Sequence, residues 1–218
     1  MILGVYGAGG LGRETLELAR QINDATETWE KILFIDDRLS EGTYNNIEVY
    51  NFVRIYELYD KEKIEVCISI GEPALREAIA KEVTGKGYSL VKLVHPSVHV
   101  PSSALIGPGS IICAGVFISC DVRIGDNVLV QPNAGIGHDC EIGSHAVVSS
   151  FVSLSGNCSV GERAYIGMSV PVKEGLRIGN DSIIGMGSVV LRDIQDNVIA
   201  MGNPARPMKE NVDKRVFR

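Results

Sequence analysis

Stepping by six residues along the chain lands on Val94, Val100, Ile106, Ile112, Ile118, Ile124, Val130, Ile136, Ile142, Val148, Leu154, Val160, Ile166, Val172, Ile178, Ile184 and Val190 without a slip. The next residue is glycine at positions 107, 125, 137, 143, 161, 167, 179 and 185. The fifth place of the hexad is small or β-branched, as in Ser110, Val116, Ala134, Cys140, Ala146 and Cys158. A period of six fits neither the 3.6 of a helix nor the 2 of a lone strand, and glycine beside Asp, Asn or Pro would break a helix. A triangular prism satisfies it. Three hexads close one coil, each side is a short strand paired with its copy one coil on, and the aliphatic side chains point inward. Only small or branched side chains fit beside them, and glycine is expected to relieve the corners.

This repeat resembles the hexapeptide repeat of left-handed parallel β-helices. It predicts five to six coils over residues 94–196, ending where Asp196 stands in the next aliphatic place, with residues 197–218 as a tail.

Residues 1–93 follow other periods. Ile2–Tyr6 reads as a buried strand, and Gly7-Ala-Gly-Gly-Leu-Gly12 as a turn. A helix follows, with Leu16, Ala19 and Ile22 on one stripe. Lys31–Ile35 and Val66–Ile70 read as further strands, the second closed by Gly71 and a helix that Pro73 begins, with Leu75, Ile79 and Val83 facing inward. Strand, glycine turn, helix and strand make half of a doubly wound sheet, so the expected fold is an α/β Rossmann-like domain followed by a left-handed parallel β-helix. Gly7-x-Gly9-x-x-Gly12 lies between strand and helix, where backbone amides can approach a phosphate, and Asp36 or Asp37 is placed to take a ribose hydroxyl. A domain of 93 residues holds one such half, which favours part of a mononucleotide over NAD. The same turn could also serve only to pack helix on strand.

Composition narrows the function classes. Of 218 residues 45% are hydrophobic but only 6% aromatic, as a narrow aliphatic prism requires. The net charge of −6 sits mostly in residues 1–93, with 11 basic and 16 acidic side chains against 10 and 11 in residues 94–218. No basic face is implied, which argues against nucleic acid as a partner. No apolar run approaches a membrane span, and Met1–Gly7 lacks the basic start of a signal peptide. Cys67, Cys113, Cys120, Cys140 and Cys158 form no CxxC pair, so reduced thiols and a cytoplasmic location are expected.

Four histidines are candidates for chemistry. His138 and His145 lie on adjacent hexads and His95 and His99 more than a coil away, so three imidazoles do not assemble around a metal and none is expected. His138 takes the third place of its hexad, at a corner pointing away from the prism, and Asp139 follows it: a base and its orienting carboxylate. An exposed histidine in a solenoid is as often structural as functional. Cys140 points inward, which disfavours it as a nucleophile, and His145, His95 and His99 read as surface residues.

Val5-Tyr-Gly-Ala-Gly-Gly10, Phe34-Ile-Asp-Asp37, Ile68-Ser-Ile-Gly71, Ile136-Gly-His-Asp139, Ser155-Gly-Asn157 and Gly202-Asn-Pro-Ala-Arg206 occur in this order over nearly the whole chain. Together they resemble the bacterial sugar acetyltransferases that include sialic acid O-acetyltransferases and UDP-4-amino-sugar N-acetyltransferases. The resemblance implies a homotrimer with an active site between neighbouring β-helices, and transfer from acetyl-CoA to a nucleotide-linked amino sugar in surface-glycan biosynthesis. It casts His138 as general base, Asp139 as its orienting group and the Gly156 amide as oxyanion donor. The nucleotide sugar would lie on Gly7, Ala8, Gly9 and Gly10 near Asp36, Asp37 and Gly71. Acetyl-CoA would run past Gly156, Gly167, Met168, Gly185 and Met186 towards Pro204 and Arg206, where a basic tail suits its phosphates. Leu11, Gly137 and Val147 depart from residues common in such relatives, which leaves the acceptor open: a sugar hydroxyl is the alternative to an amine. A scaffold without catalysis is the third reading.

Overall fold

The computed structural model describes residues 1–217 and contains both expected parts. In the first, β1 (Ile2–Tyr6), α1 (Gly10–Thr26), β2 (Lys31–Ile35), β3 (Gly42–Tyr44), β4 (Ile47–Tyr50), α2 (Phe52–Leu58), β5 (Ile64–Ile68), α3 (Pro73–Gly85) and β6 (Ser89–Leu90) follow one another. They build a six-stranded sheet of order β3-β4-β2-β1-β5-β6, parallel except for the β3–β4 hairpin. The third predicted strand is displaced by two residues, from 66–70 to Ile64–Ile68. The polar segment from Arg38 to Lys63, for which no element was expected, supplies the hairpin and α2. Asn51 caps α2 by accepting from Arg54 N at 2.8 Å.

β7 (Leu93–Val94) opens the left-handed parallel β-helix. One face stacks β7 with Ile111–Ile112, Leu129–Val130, Val147–Val148, Tyr165–Ile166 and Ile183–Ile184. A second stacks Phe117–Ile118, Gly135–Ile136, Ser153–Leu154 and Pro171–Val172, and a third runs from Leu105–Ile106 to Arg177–Ile178. Register advances by one eighteen-residue coil: Leu129 pairs with Ile111 and Val147. The final coil is two residues shorter, because Ile178 bridges Ile194 and Ile184 pairs with Ala200. Val198–Met201, within the expected tail, thus continues the first face, and Ala200 fills the buried inward place.

The second-place glycines do not relieve the corners as expected; Gly109, Gly115, Gly175 and Gly187, at the fourth place, do. From Gly109 to Gly187 the fourth place of every hexad turns left-handed, with φ of 58° at Asp121, 53° at Asn127, 57° at Asp139 and 57° at Asn157. After glycine, Asn and Asp tolerate that conformation best. Glycine at the second place answers a different need, close approach. A Cβ on Gly137 would lie 2.7 Å from Gly156 N, and one on Gly143 2.6 Å from Glu162 N.

Three cores result. One fills the prism; one lies between the sheet and α2 and α3; the third joins the two parts. The joint is built from the outward side chains of the first face: Leu93, Ile111, Leu129 and Val147 are buried against α1 and one side of the sheet. Arg76 of α3 is fully buried beside it. Its guanidinium donates to Asn127 O (3.0 and 2.8 Å) and Asn127 Oδ1 (2.7 Å), and to Ile68 O (2.7 Å) and Ile70 O (3.0 Å). All five N–H donors are satisfied, though by no carboxylate. Burial lowers its pKa to about 9. Among the described residues no helix is long and apolar enough to cross a membrane.

Candidate active site

The corner after Gly135–Ile136 presents His138 and Asp139 to solvent, each about half exposed. The left-handed backbone at Asp139 turns its short carboxylate back, so that Oδ2 lies 2.8 Å from His138 Nδ1. A carboxylate at Nδ1 favours the tautomer with its proton there, leaving Nε2 free to accept one. Gly156 lies one coil on, directly against the ring: its ideal Cβ would be 2.4 Å from both Cε1 and Nε2 of His138. The main chain fixes this stack, as Asn157 N donates to His138 O at 2.8 Å. Cys140 is inside the prism, its Sγ 3.1 Å from Ser155 O. The neighbouring Cys158 sulfur and burial push that thiol up, away from the thiolate a nucleophile needs.

A second feature is a cavity of about 460 Å³ at the glycine turn, lined by Gly7, Gly9, Gly10, Asp36, Asp37 and Gly71 together with Tyr6, Leu11 and Glu82. Gly7 has φ +104°, and a Cβ there would meet Ser69 O at 2.8 Å. Gly9 and Gly10 have open space where a Cβ would stand, at the start of α1, which suits an anion. Ala8 contributes its N–H to Asp36 Oδ2 at 2.9 Å, while Asp36 Oδ1 accepts from Arg38 N at 3.0 Å. Asp37 accepts from the Tyr6 hydroxyl and from Phe52 N. Asp36 therefore braces the turn and Asp37 ties Tyr6 to the start of α2, and both line the cavity. Burial, then Asp37, raises the Tyr6 pKa, so its hydroxyl stays a donor.

Gly167-Met168 and Gly185-Met186 stack at the corner after the first face, where a Cβ on Gly167 would lie 2.6 Å from Met186 N. Their methionine side chains are exposed. Beside them a cavity of about 500 Å³ is lined by Leu11, Glu14, Gln21, His95, Cys113 and Met168. Pro204 and Arg206 lie farther along, at and after the turn between Val198–Met201 and Arg206–Glu210. The fold thus brings Gly156 to His138, and the turn glycines to Asp36, Asp37 and Gly71. Leu11 lines both cavities, joining the glycine turn to the Met168 edge. It does not bring His138 to that edge: within one chain the two lie at different corners of the prism.

Two histidines expected at the surface are not free there. His145 is half-buried at the joint between the domains, where Asn127 Nδ2 lies 3.1 Å from its Nδ1, and burial lowers its pKa. His95 is partly buried, engaging Ser97 at 2.7 Å and Gln21 of α1 at 2.6 Å. His99 is exposed. Among the described residues no group of three His, Cys, Asp or Glu side chains could hold a metal. Arg76, Asn127 and Tyr6 escaped the sequence analysis. The joint itself had a signal: Leu93, Ile111, Leu129 and Val147 recur every eighteen residues at outward places.

A Rossmann-like domain fused to a hexapeptide β-helix, with a histidine–carboxylate pair at a glycine corner, defines a class: the hexapeptide-repeat acyltransferases. The PglD N-terminal domain model matches residues 3–83. The bacterial transferase hexapeptide and the hexapeptide repeat of succinyl-transferase match residues 121–156 and 156–192. The acetyltransferase domain of PglB from Neisseria gonorrhoeae is 31% identical, with TM-score 0.88 over 95% of this chain and 99% of that one. PerB from Caulobacter crescentus, solved with CoA and GDP-perosamine, is 30% identical, with TM-score 0.87 over 96% of this chain and 98% of that one. GDP-perosamine N-acetyltransferase of Escherichia coli O157:H7 is 30% identical over 126 residues, 57% of this chain and 56% of that relative, so that match spans about half of each. The chain belongs to the PglD-type hexapeptide sugar acetyltransferase family.

Proposed function

We propose that this protein transfers the acetyl group of acetyl-CoA to the amino group of a nucleotide-linked amino sugar. The observation that carries the reading is the His138–Asp139 pair, with Nε2 free and the ring lying against Gly156. His138 Nε2 takes a proton from the sugar amine as its nitrogen bonds to the thioester carbonyl carbon. Asp139 holds the ring and balances the imidazolium charge. The Gly156 N–H donates to the oxyanion that develops. Collapse breaks the C–S bond, and the proton on His138 passes to the departing thiolate.

The nucleotide would occupy the glycine-turn cavity, on Gly7–Gly10 and beside Asp36, Asp37 and Gly71. Acetyl-CoA would pass Met168 and Met186 towards Pro204 and Arg206. Because that edge and the glycine turn adjoin on one chain while His138 occupies another corner, a complete site needs His138 from a neighbouring copy. A ring of three chains supplies it, and exposed Phe117, Phe151, Met168 and Met186 give the neighbour apolar surface. Relatives solved with acetyl coenzyme A and with CoA and GDP-perosamine support both ligands. All five cysteines are unpaired, in keeping with a cytoplasmic site of action.

The test is thiol release from acetyl-CoA by the purified chain with GDP-perosamine and with UDP- and dTDP-linked 4-amino sugars, alongside light scattering for the trimer. His138→Ala should abolish release. Undiminished release in that variant overturns the base assignment; turnover with sialic acid but no amino sugar supports O-acetylation instead.

A further inference from the structure

Glu72 stands at the N-cap of α3, yet its carboxylate caps nothing in its own helix. It accepts instead from the backbone of a distant segment: Val216 N lies 3.0 Å from each oxygen, and Phe217 N 3.0 Å from Oε2. That segment is anchored on the β-helix. Asn211 N donates to Asn197 O at 2.7 Å, Asn211 Nδ2 to Asp181 O at 2.9 Å, and Lys214 Nζ lies 3.2 Å from Asp181 Oδ2. Asp181 is itself buried and held by Arg163 at 2.8 Å. Phe217 then packs edge-on against Tyr165, with centroids 5.6 Å apart, and covers Gly71, whose ideal Cβ would be 3.5 Å from the ring.

The other side of the same loop is held by Arg76, which donates to Ile68 O and Ile70 O while bonding to Asn127 of the β-helix. Ile70 and Gly71, which line the glycine-turn cavity, are therefore clamped between a buried guanidinium and residues 211–217. Both holds run to the β-helix rather than to the rest of the Rossmann-like domain.

We propose that residues 211–217 are a strap that fixes the Ile70–Gly71 wall of the glycine-turn cavity, with Glu72 and Phe217 as positioning residues for nucleotide binding. The inference rests on reading that cavity as the nucleotide site. A wall free to shift spends part of its time in arrangements that do not bind, and apparent affinity falls by the fraction lost. Glu72 and Phe217 engage Val216, Tyr165 and Gly71, none of them on the acetyl-CoA path proposed above, so acetyl transfer and CoA binding are left alone. A brace that served stability only would instead move all these parameters together.

Titration calorimetry of the full chain with GDP, UDP and dTDP, and separately with CoA, tests this. Glu72→Ala and Phe217→Ala should bind the preferred nucleotide about tenfold more weakly, as for a wall correctly placed about one-tenth of the time. Glu72→Gln, which keeps an acceptor oxygen, should fall between them and the wild type. CoA affinity should stay within about twofold in all three, since conformational coupling acts only on the ligand whose site it alters. In turnover, KM for the nucleotide sugar should rise with kcat held. Unchanged nucleotide binding, or an equal loss of CoA, overturns the strap. A wild type that binds none of the three nucleotides overturns the reading of the cavity and the strap with it.

Discussion

Gly156→Ala tests the active-site geometry with the smallest possible perturbation. The three heavy atoms nearest an added Cβ are all in the His138 ring, at 2.4, 2.4 and 3.0 Å, and the backbone there does not have the left-handed φ that would strain alanine. Carbon contacts settle at about 3.5 Å or more, so the imidazole must retreat by about 1 Å. His138 is half exposed and can move outward, so the fold loses little. Catalysis should lose much, because a displacement of about 1 Å in a reacting group costs on the order of a hundredfold in rate. The swing also strains the 2.8 Å contact from Nδ1 to Asp139. Thiol release under saturating substrates should therefore show kcat down about a hundredfold, with the thermal midpoint near that of the wild type. A kcat within about twofold of wild type would refute the argument, since it would mean that the reaction tolerates a ring about 1 Å from its place.

Two further outcomes concern stability. Arg76→Met leaves Ile68 O, Ile70 O and both oxygens of Asn127 without their buried donor. With about 1–3 kcal/mol for each buried acceptor left unpaired, it should lower unfolding free energy in urea by about 3 kcal/mol or more; a loss under about 1 kcal/mol would show that the joint repacks without it. His145 has a folded pKa below its ordinary 6.5 because of burial. The unfolded chain therefore binds the proton first, and stability should fall as pH drops from about 7 through the folded value, below which the loss is complete. His145→Asn should flatten the dependence of the thermal midpoint between about pH 7 and pH 5, and an unchanged slope would assign that dependence to other groups.

Much of this molecule is local and periodic, and so legible. An inward aliphatic every six residues admits only a three-sided coil, because each coil must fill the same narrow prism from its own residues. His138 and Gly156 follow directly: eighteen residues is one coil, so their stacking is arithmetic on the repeat. The glycine turn and Asp36-Asp37 were legible as a βαβ unit for the same reason. The role of the second-place glycine was not, since close approach between coils and a left-handed backbone both select glycine, and only the folded structure separates them.

What the chain alone determined, then, is each part and its candidate chemistry. Tertiary structure decided how the parts meet. Leu93, Ile111, Leu129 and Val147 repeat outward every eighteen residues, but an apolar stripe does not name the surface that covers it. Arg76 and Asn127 are 51 positions apart, and Glu72 and Phe217 are 145 apart. No local preference marks such pairs. Their donors and acceptors are satisfied only once two separately folded surfaces exclude water between them, and buried polar groups must then find partners wherever the packing has put them.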